Sequence, residues 1–206
     1  MNFESYKIDW RNHFCINDKV ILYDLQEMEL QEIPTETKYF LATYGLPKNE
    51  GSFYLNFDNV NYEMSTFNRL PLICDMFNLE IEDLSSMEED YFTNYNIGSA
   101  GSGYPITINK KGEVRIIALD STLSGQYEWT FINSSITQMA IFFIEFEKFT
   151  IYQKEKSSAS SFSEIKVKQE DLISFVEKIK TIDSVATNKG SFWHSFIEEF
   201  EEMVHK

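Results

Sequence analysis

Three histidines, two cysteines and one glycine-rich stretch are the places where this 206-residue sequence could do chemistry. In each case the spacing argues against it. His194 and His205 lie eleven residues apart near the C-terminus, which on a helix places them about 16 Å apart, too far to share a metal. His13 stands near Cys15, but neither Cys15 nor Cys74 sits in a C-x-x-C motif or any other local signature of a nucleophilic thiol. Gly98-Ser99-Ala100-Gly101-Ser102-Gly103 has the composition of a phosphate cradle. Such a loop opens a helix, whose aligned N–H groups hold the anion, and often carries a lysine. Here Tyr104-Pro105-Ile106 leads into a strand, so a turn between strands is the better reading. Asp120 at a strand end, with Asp58 elsewhere, has the form of half a carboxylate pair, but an aspartate there more often starts a turn. No catalytic, cofactor-binding or metal-ligating residue is assigned, and an enzyme, such as a small hydrolase, ranks last among the function classes.

Binding is the better prospect, because the chain is strongly acidic. Its net charge is −15, of which residues 1–100 carry −12 and residues 101–206 carry −3. A surface of that sign repels nucleic acid and anionic lipid and attracts basic partners over a range set by ionic strength. The densest run spans residues 75–90, with seven acids and no base: Asp75, Glu80, Glu82, Asp83, Glu88, Glu89 and Asp90. Charge runs are usually solvated faces. Phe77, Leu79, Ile81, Leu84 and Met87 are interleaved with these acids, which predicts an ordered segment rather than a tail.

The rest of the composition describes the scaffold. A chain of this length buries about 70% of the surface its unfolded form exposes, enough for one domain without staples. With 18 Phe and 11 Tyr, large flat side chains should dominate the core. Two cysteines far apart in sequence fit free buried thiols in a reducing compartment. Met1 to Lys7 lacks the basic start and apolar run of a signal peptide, and the longest apolar stretch, Met139 to Ile144, is too short to span a bilayer. The expectation is a soluble, cytoplasmic protein.

The elements follow from periodicity and punctuation. Lys19 to Tyr23 suits a short strand, with Trp10 as a core anchor. Pro34 or Thr35 opens a helix that ends at Tyr44, with Gly45 as a left-handed cap and Pro47 forbidding continuation. Ser52 to Phe57 alternates as a strand. Ile106 and Ile108, the Asn109-Lys110-Lys111-Gly112 turn, and Val114, Ile116 and Ala118 form a hairpin, with Arg115, Ile117 and Leu119 on its other side. Asp120 to Gly125 turns the chain again. Gln126 to Phe131 then places Tyr127, Trp129 and Phe131 on one side of a half-covered strand. Asn133 or Ser135 caps the next helix, Ser135 pairing with Gln138 in a capping-box pattern. That helix is apolar around most of its circumference, as a helix buried between layers is. Lys154 to Ser163 is the best linker candidate. Two amphipathic helices follow, one lined by Leu172, Phe175, Val176, Ile179 and Ile182. The other is lined by Phe192, Trp193, Phe196, Ile197, Phe200, Met203 and Val204, with Glu198, Glu199, Glu201 and Glu202 on its wet side. The order is α+β, a central antiparallel meander flanked by N- and C-terminal helices.

Taken together, the helix running into Gly45-Leu46-Pro47, the Ile97-Gly98 step, the hairpin from Ile106 to Asp120 and the strand leading through Asn133-Ser134-Ser135 into a helix resemble the SUKH superfamily of immunity proteins. The Gly-Leu-Pro variant, the Asn-Ser-Ser step and the late Trp193 are most similar to the fourth SUKH family. Each motif is generic alone, and their order and spacing carry the resemblance. It runs from about Ile33 to Tyr152 and loosely to Trp193, with residues 153–206 as a helical extension of a single domain. The acidic segment 75–90 and the first thirty residues do not map clearly.

The resemblance implies an α+β SUKH-like fold, no catalytic residues and no cofactor, and a role in neutralising a polymorphic toxin by occlusion. A nuclease toxin would be basic, and the seven acids of the run are then the contact candidates. A regulatory adaptor or scaffold with no toxin partner is the alternative, since distant relatives act as scaffolds. A homo-oligomer is compatible with either.

Overall fold

The computed structural model describes residues 3–14, 20–47, 55–57, 72, 93–101, 103–120, 126–161 and 164–204. The chain opens with a one-turn 3-10 helix at Phe3–Ser5, a short helix α1 (Lys7–Asp9) and a π turn at Trp10–Phe14. Trp10 is fully buried and its ring meets Phe14, Phe40 and Phe143 at centroid distances of 5.1, 6.0 and 6.3 Å. This segment, unassigned from sequence apart from Trp10, is thus a wedge of the core.

Helix α2 (Thr35–Thr43) begins after the extended Pro34, as the fixed φ of proline favours. It stops because Gly45 adopts φ +67, a left-handed conformation that a Cβ would strain. A Cβ on Gly45 would also lie 2.4 Å from the Ile21 carbonyl oxygen. The glycine therefore does two jobs, ending the helix and letting strand β2 (Leu46–Pro47) close against β1 (Val20–Ile21) in an antiparallel pair.

The main sheet is an antiparallel meander with strands in the order β3 (Leu55–Asn56), β4 (Tyr95–Ala100), β5 (Pro105–Ile108), β6 (Val114–Asp120) and β7 (Gln126–Asn133). Gly98 sits beside an irregularity in the β4–β5 register, and a Cβ there would meet the Asn56 carbonyl oxygen at 2.5 Å. The Ile97-Gly98 step thus lets β3 approach β4. The β5–β6 turn is held by Asn109, whose Oδ1 accepts from the Lys111 and Glu113 N–H groups at 2.9 and 3.0 Å. The glycine-rich stretch is a hairpin, its Ala100 N–H donating to the Tyr104 carbonyl at 2.7 Å. Ile106 pairs with Ile116, and Ile116 with Thr130, on the side facing the helices. On the opposite side Arg115 lies over the Trp129 ring, 5.0 Å from its centroid. Ile116 and Ile117 are both buried, so β6 is covered on both faces, as its sequence suggests.

Helix α3 (Ile136–Ser157) is the central pillar. Ser135 is its cap, accepting from the Gln138 N–H at 3.2 Å and donating to Gln138 Oε1 at 2.9 Å. The helix is longer than its sequence suggests: Lys154 to Ser157, assigned to a linker, are its last turn. Two lysines in that turn complement the carbonyl end of the dipole, and the Ser157 hydroxyl donates to the Gln153 carbonyl at 2.6 Å. The left-handed Ser158 ends it. The connection beyond is also packed down, with Ile165 and Val167 buried. Helices α4 (Gln169–Ile182) and α5 (Phe192–Val204) complete the layer. Phe146 stacks on Trp193 at 4.6 Å and Phe149 on Phe175 at 4.3 Å, an aromatic core in which each pair adds about 0.5–1.5 kcal/mol beyond area burial.

Among the described residues, no helix is long and apolar enough to cross a membrane. Cys15, Cys74, His205, Asp58, Ser52 to Tyr54, Lys19 and the turn after Asp120 lie outside the described residues.

Candidate functional site

Strand β7 ends in a buried polar knot. Asn133 Nδ2 donates to Asp183 Oδ2 at 3.2 Å, while its Oδ1 accepts from Trp193 Nε1 at 2.8 Å. Ser134 donates twice to the same carboxylate, through its N–H at 2.7 Å and its hydroxyl at 2.9 Å. Gln138 Nε2 closes the neighbouring end of α4 by donating to the Ile182 carbonyl at 2.8 Å. The three residues of the Asn-Ser-Ser step have separate jobs: Asn133 reaches Trp193, Ser134 holds Asp183, and Ser135 caps α3. Only the capping role was visible in the sequence, and Asp183 carried no signal at all. Each bond to a buried carboxylate contributes about 1.5–3 kcal/mol net. The knot joins β7, α3, α4 and α5, and its function is to hold that junction.

A second buried acid, Glu145 on α3, lies with Lys178 of α4 and with the Tyr6 hydroxyl. Burial, then the Glu145 charge, push the Tyr6 hydroxyl above its usual range. At the surface, Lys148 pairs with Asp9 and Lys156 with Asp171, each at 2.6 Å. The Lys156 ammonium holds the Asp171 carboxyl below the usual aspartate range. Near the N-terminus, Lys7 and then the Tyr44 hydroxyl lower Glu4, and Tyr44 is in turn pushed up to about 12 by its bond to Glu4. Many of the bases are therefore spent on acids of the same chain. Glu199, Glu201 and Glu202 on α5 are exposed, with no ion-pair partner among the described residues.

Clefts open around this frame among the described residues, three of them beside the elements above. One of about 390 Å³ lies where Pro34, Thr37, Lys111, Gly112, Ser135 and Gln138 converge, so it gathers the start of α2, the β5–β6 turn and the cap of α3. One of about 460 Å³ lies between Ile116 and Thr130 of the sheet and Phe192, His194 and Glu198 of α5. The third, of about 360 Å³, is a groove between α4 and α5. Among the described residues, no three His, Cys, Asp or Glu side chains converge where a metal could be held. His194 instead faces Glu198 at 3.4 Å. All seven acids of the 75–90 run, Asp75, Glu80, Glu82, Asp83, Glu88, Glu89 and Asp90, lie outside the described residues.

The ordered motifs, now placed at the α2 stop, the β3–β4 approach and the β7–α3 knot, agree with a family comparison. The model of the SUKH-4 immunity protein matches residues 17–199. The chain belongs to the SUKH-4 immunity protein family. The match passes the span read from the motifs at both ends, by residues 17–32 and 194–199, and it runs across the acidic segment 75–90 that did not map clearly. Its lower bound leaves Phe3 to Phe14 outside, although Trp10 is in the core. No curated protein and no solved structure matches the chain. Membership in SUKH-4 implies an immunity function against toxins, and such families are generally non-catalytic.

Proposed function

We propose that this SUKH-4 protein protects the cell that makes it by binding a cognate toxin and covering the toxin's active site, without chemistry of its own. The family match over residues 17–199 carries this reading. The net charge of −15 supports a basic toxin, such as a nuclease whose substrate site attracts polyanions. The same charge repels nucleic acid and membrane surfaces, which favours a protein partner, and this reading has the two meet in the cytoplasm. The aromatic core that α4 and α5 share with α3 supports reading the chain as a single domain.

The acidic run supplies the first contacts in this proposal. Asp75, Glu80, Glu82, Asp83, Glu88, Glu89 and Asp90 lie in the more acidic half of the chain, where they would speed encounter with a basic surface. Co-expression with the toxin encoded beside its gene tests the function: rescue of growth supports it, and full toxicity in the presence of folded protein refutes it. Reversing the charge of the run should slow association and flatten its dependence on salt. Unchanged rates would remove the run from the interface.

A further inference from the structure

The groove between α4 and α5 is unlike the other two clefts. Its floor is aliphatic, formed by Leu172 and Val176 of α4 and Val204 of α5, with Ile173 on its α4 lip. Ile173 is 52% exposed, although it lies on a helix whose apolar face is otherwise packed inward. Glu177 of α4 and Glu201 of α5 both line the groove. The α5 side of the groove is lined by Glu201 and Val204, on a helix that carries no lysine or arginine. Lys180 stands at one end of the groove. An aliphatic trough between two helices, lined by two carboxylates that have no ion-pair partner among the described residues and by a lysine at one end, has the shape and charge to receive a helix with apolar residues on one face and bases beside them.

We propose that this groove is the anchor site for a basic amphipathic helix of the partner protein. The proposal rests on the immunity reading for the partner's identity as a toxin. Leucine-sized side chains at i, i+3 or i+4, and i+7 of the incoming helix seat between Ile173, Val176 and Val204, and its lysines or arginines meet Glu177 and Glu201. A second copy of this chain is a poor occupant, since each copy carries a net charge of −15 and α5 presents acids to acids. Long-range attraction by the acidic half of the surface and short-range anchoring in the groove are then separate steps. The first sets the association rate and the second the dissociation rate.

The test uses the full chain in two arms. In the first, amide shifts are followed while a synthetic leucine–lysine amphipathic helix, or its leucine–glutamate counterpart, is titrated in. The expected result is saturable shifts within residues 169–180 and 198–204 for the lysine peptide alone. Affinity should fall at least tenfold in Ile173→Glu and in the double variant Glu177→Lys/Glu201→Lys. Shifts centred elsewhere, equal binding of the glutamate peptide, or undiminished affinity in folded variants would overturn the groove. In the second arm, the same variants are co-expressed with the neighbouring toxin. Rescue by wild type and its loss in the variants supports the groove. Rescue by both overturns it and leaves the immunity reading standing. Failure of wild type to rescue, with the peptide still mapping to residues 169–180 and 198–204, refutes the immunity reading and upholds the groove as a dock for a basic helix.

Discussion

Replacing Asp183 with alanine isolates the polar knot, because that one carboxylate accepts from Asn133 Nδ2, the Ser134 N–H and the Ser134 hydroxyl. All three donors lose their acceptor at once. Asn133 is fully buried, so its amide pays the full desolvation cost, about 1–3 kcal/mol. Ser134 is half-buried and can turn partly to water, so its two groups together cost about as much again. The sum is about 2–6 kcal/mol, a large share of a typical total stability of about 5–15 kcal/mol. With a urea slope of about 2 kcal/mol/M, the unfolding midpoint should drop by about 1–3 M. Trp193→Phe removes the indole donor to Asn133 Oδ1 and also shrinks a fully buried ring stacked on Phe146, so it should cost about 2–4 kcal/mol. The two changes share Asn133 as a partner, so the double variant should be non-additive by about 0.5 kcal/mol or more. A midpoint for Asp183→Ala within about 0.5 M of wild type, or strict additivity with Trp193→Phe, would refute the claim that the knot holds the junction.

Three further outcomes follow from local geometry. Gly45→Ala meets both a positive φ and a 2.4 Å contact with the Ile21 oxygen, whereas Gly103→Ala meets a positive φ in open space. Urea unfolding should therefore show a loss of about 2 kcal/mol or more at Gly45 and about 1 kcal/mol at Gly103. Lys178→Met takes the countercharge from the buried Glu145 and leaves it to the Tyr6 hydroxyl, while Lys148→Met breaks a pair whose side chains stay about one-third to two-fifths exposed. Thermal melts at pH 7 should separate the two clearly, the first costing about 2–3 kcal/mol and the second under about 1. Asp171 is held below its ordinary pKa by Lys156, so the folded state binds that proton less readily than the unfolded state. Its contribution is fully present above the ordinary aspartate range of about 4 and is lost as pH falls through the lower folded value. Wild type and Asp171→Asn should differ in urea midpoint at pH 7 and converge as the pH falls through the lowered folded value; a difference that persists once the carboxyl is protonated would rule the pairing out as its source.

Much of the scaffold was legible because it is written in local signals. Gly45 and Pro47 stop a helix by backbone conformation alone, Asn109 closes a turn with its own side chain, and Ser135 caps the helix that starts one residue later. None of these needs a distant partner to be read. The knot is different. Asp183 lies 50 residues from Asn133, and Trp193 another ten beyond. An aspartate after an amphipathic helix looks like any surface acid until the fold brings it to Ser134. The linker assignment failed for a related reason: Lys154 and Ser157 have loop-like composition, yet Gln153 is buried on the core side of α3, and its backbone carries the helix through the serine. The groove between α4 and α5 also escapes local reading, because Ile173 is one apolar residue on a helix full of them. Its exposure becomes informative only when Val204 and Glu201 are found across from it. What the sequence states locally is where the chain turns; what it states only through the fold is which acids are buried supports and which stay exposed. Glu145 and Asp183 belong to the first kind, and Glu199, Glu201 and Glu202 to the second, though all five are written with the same two letters.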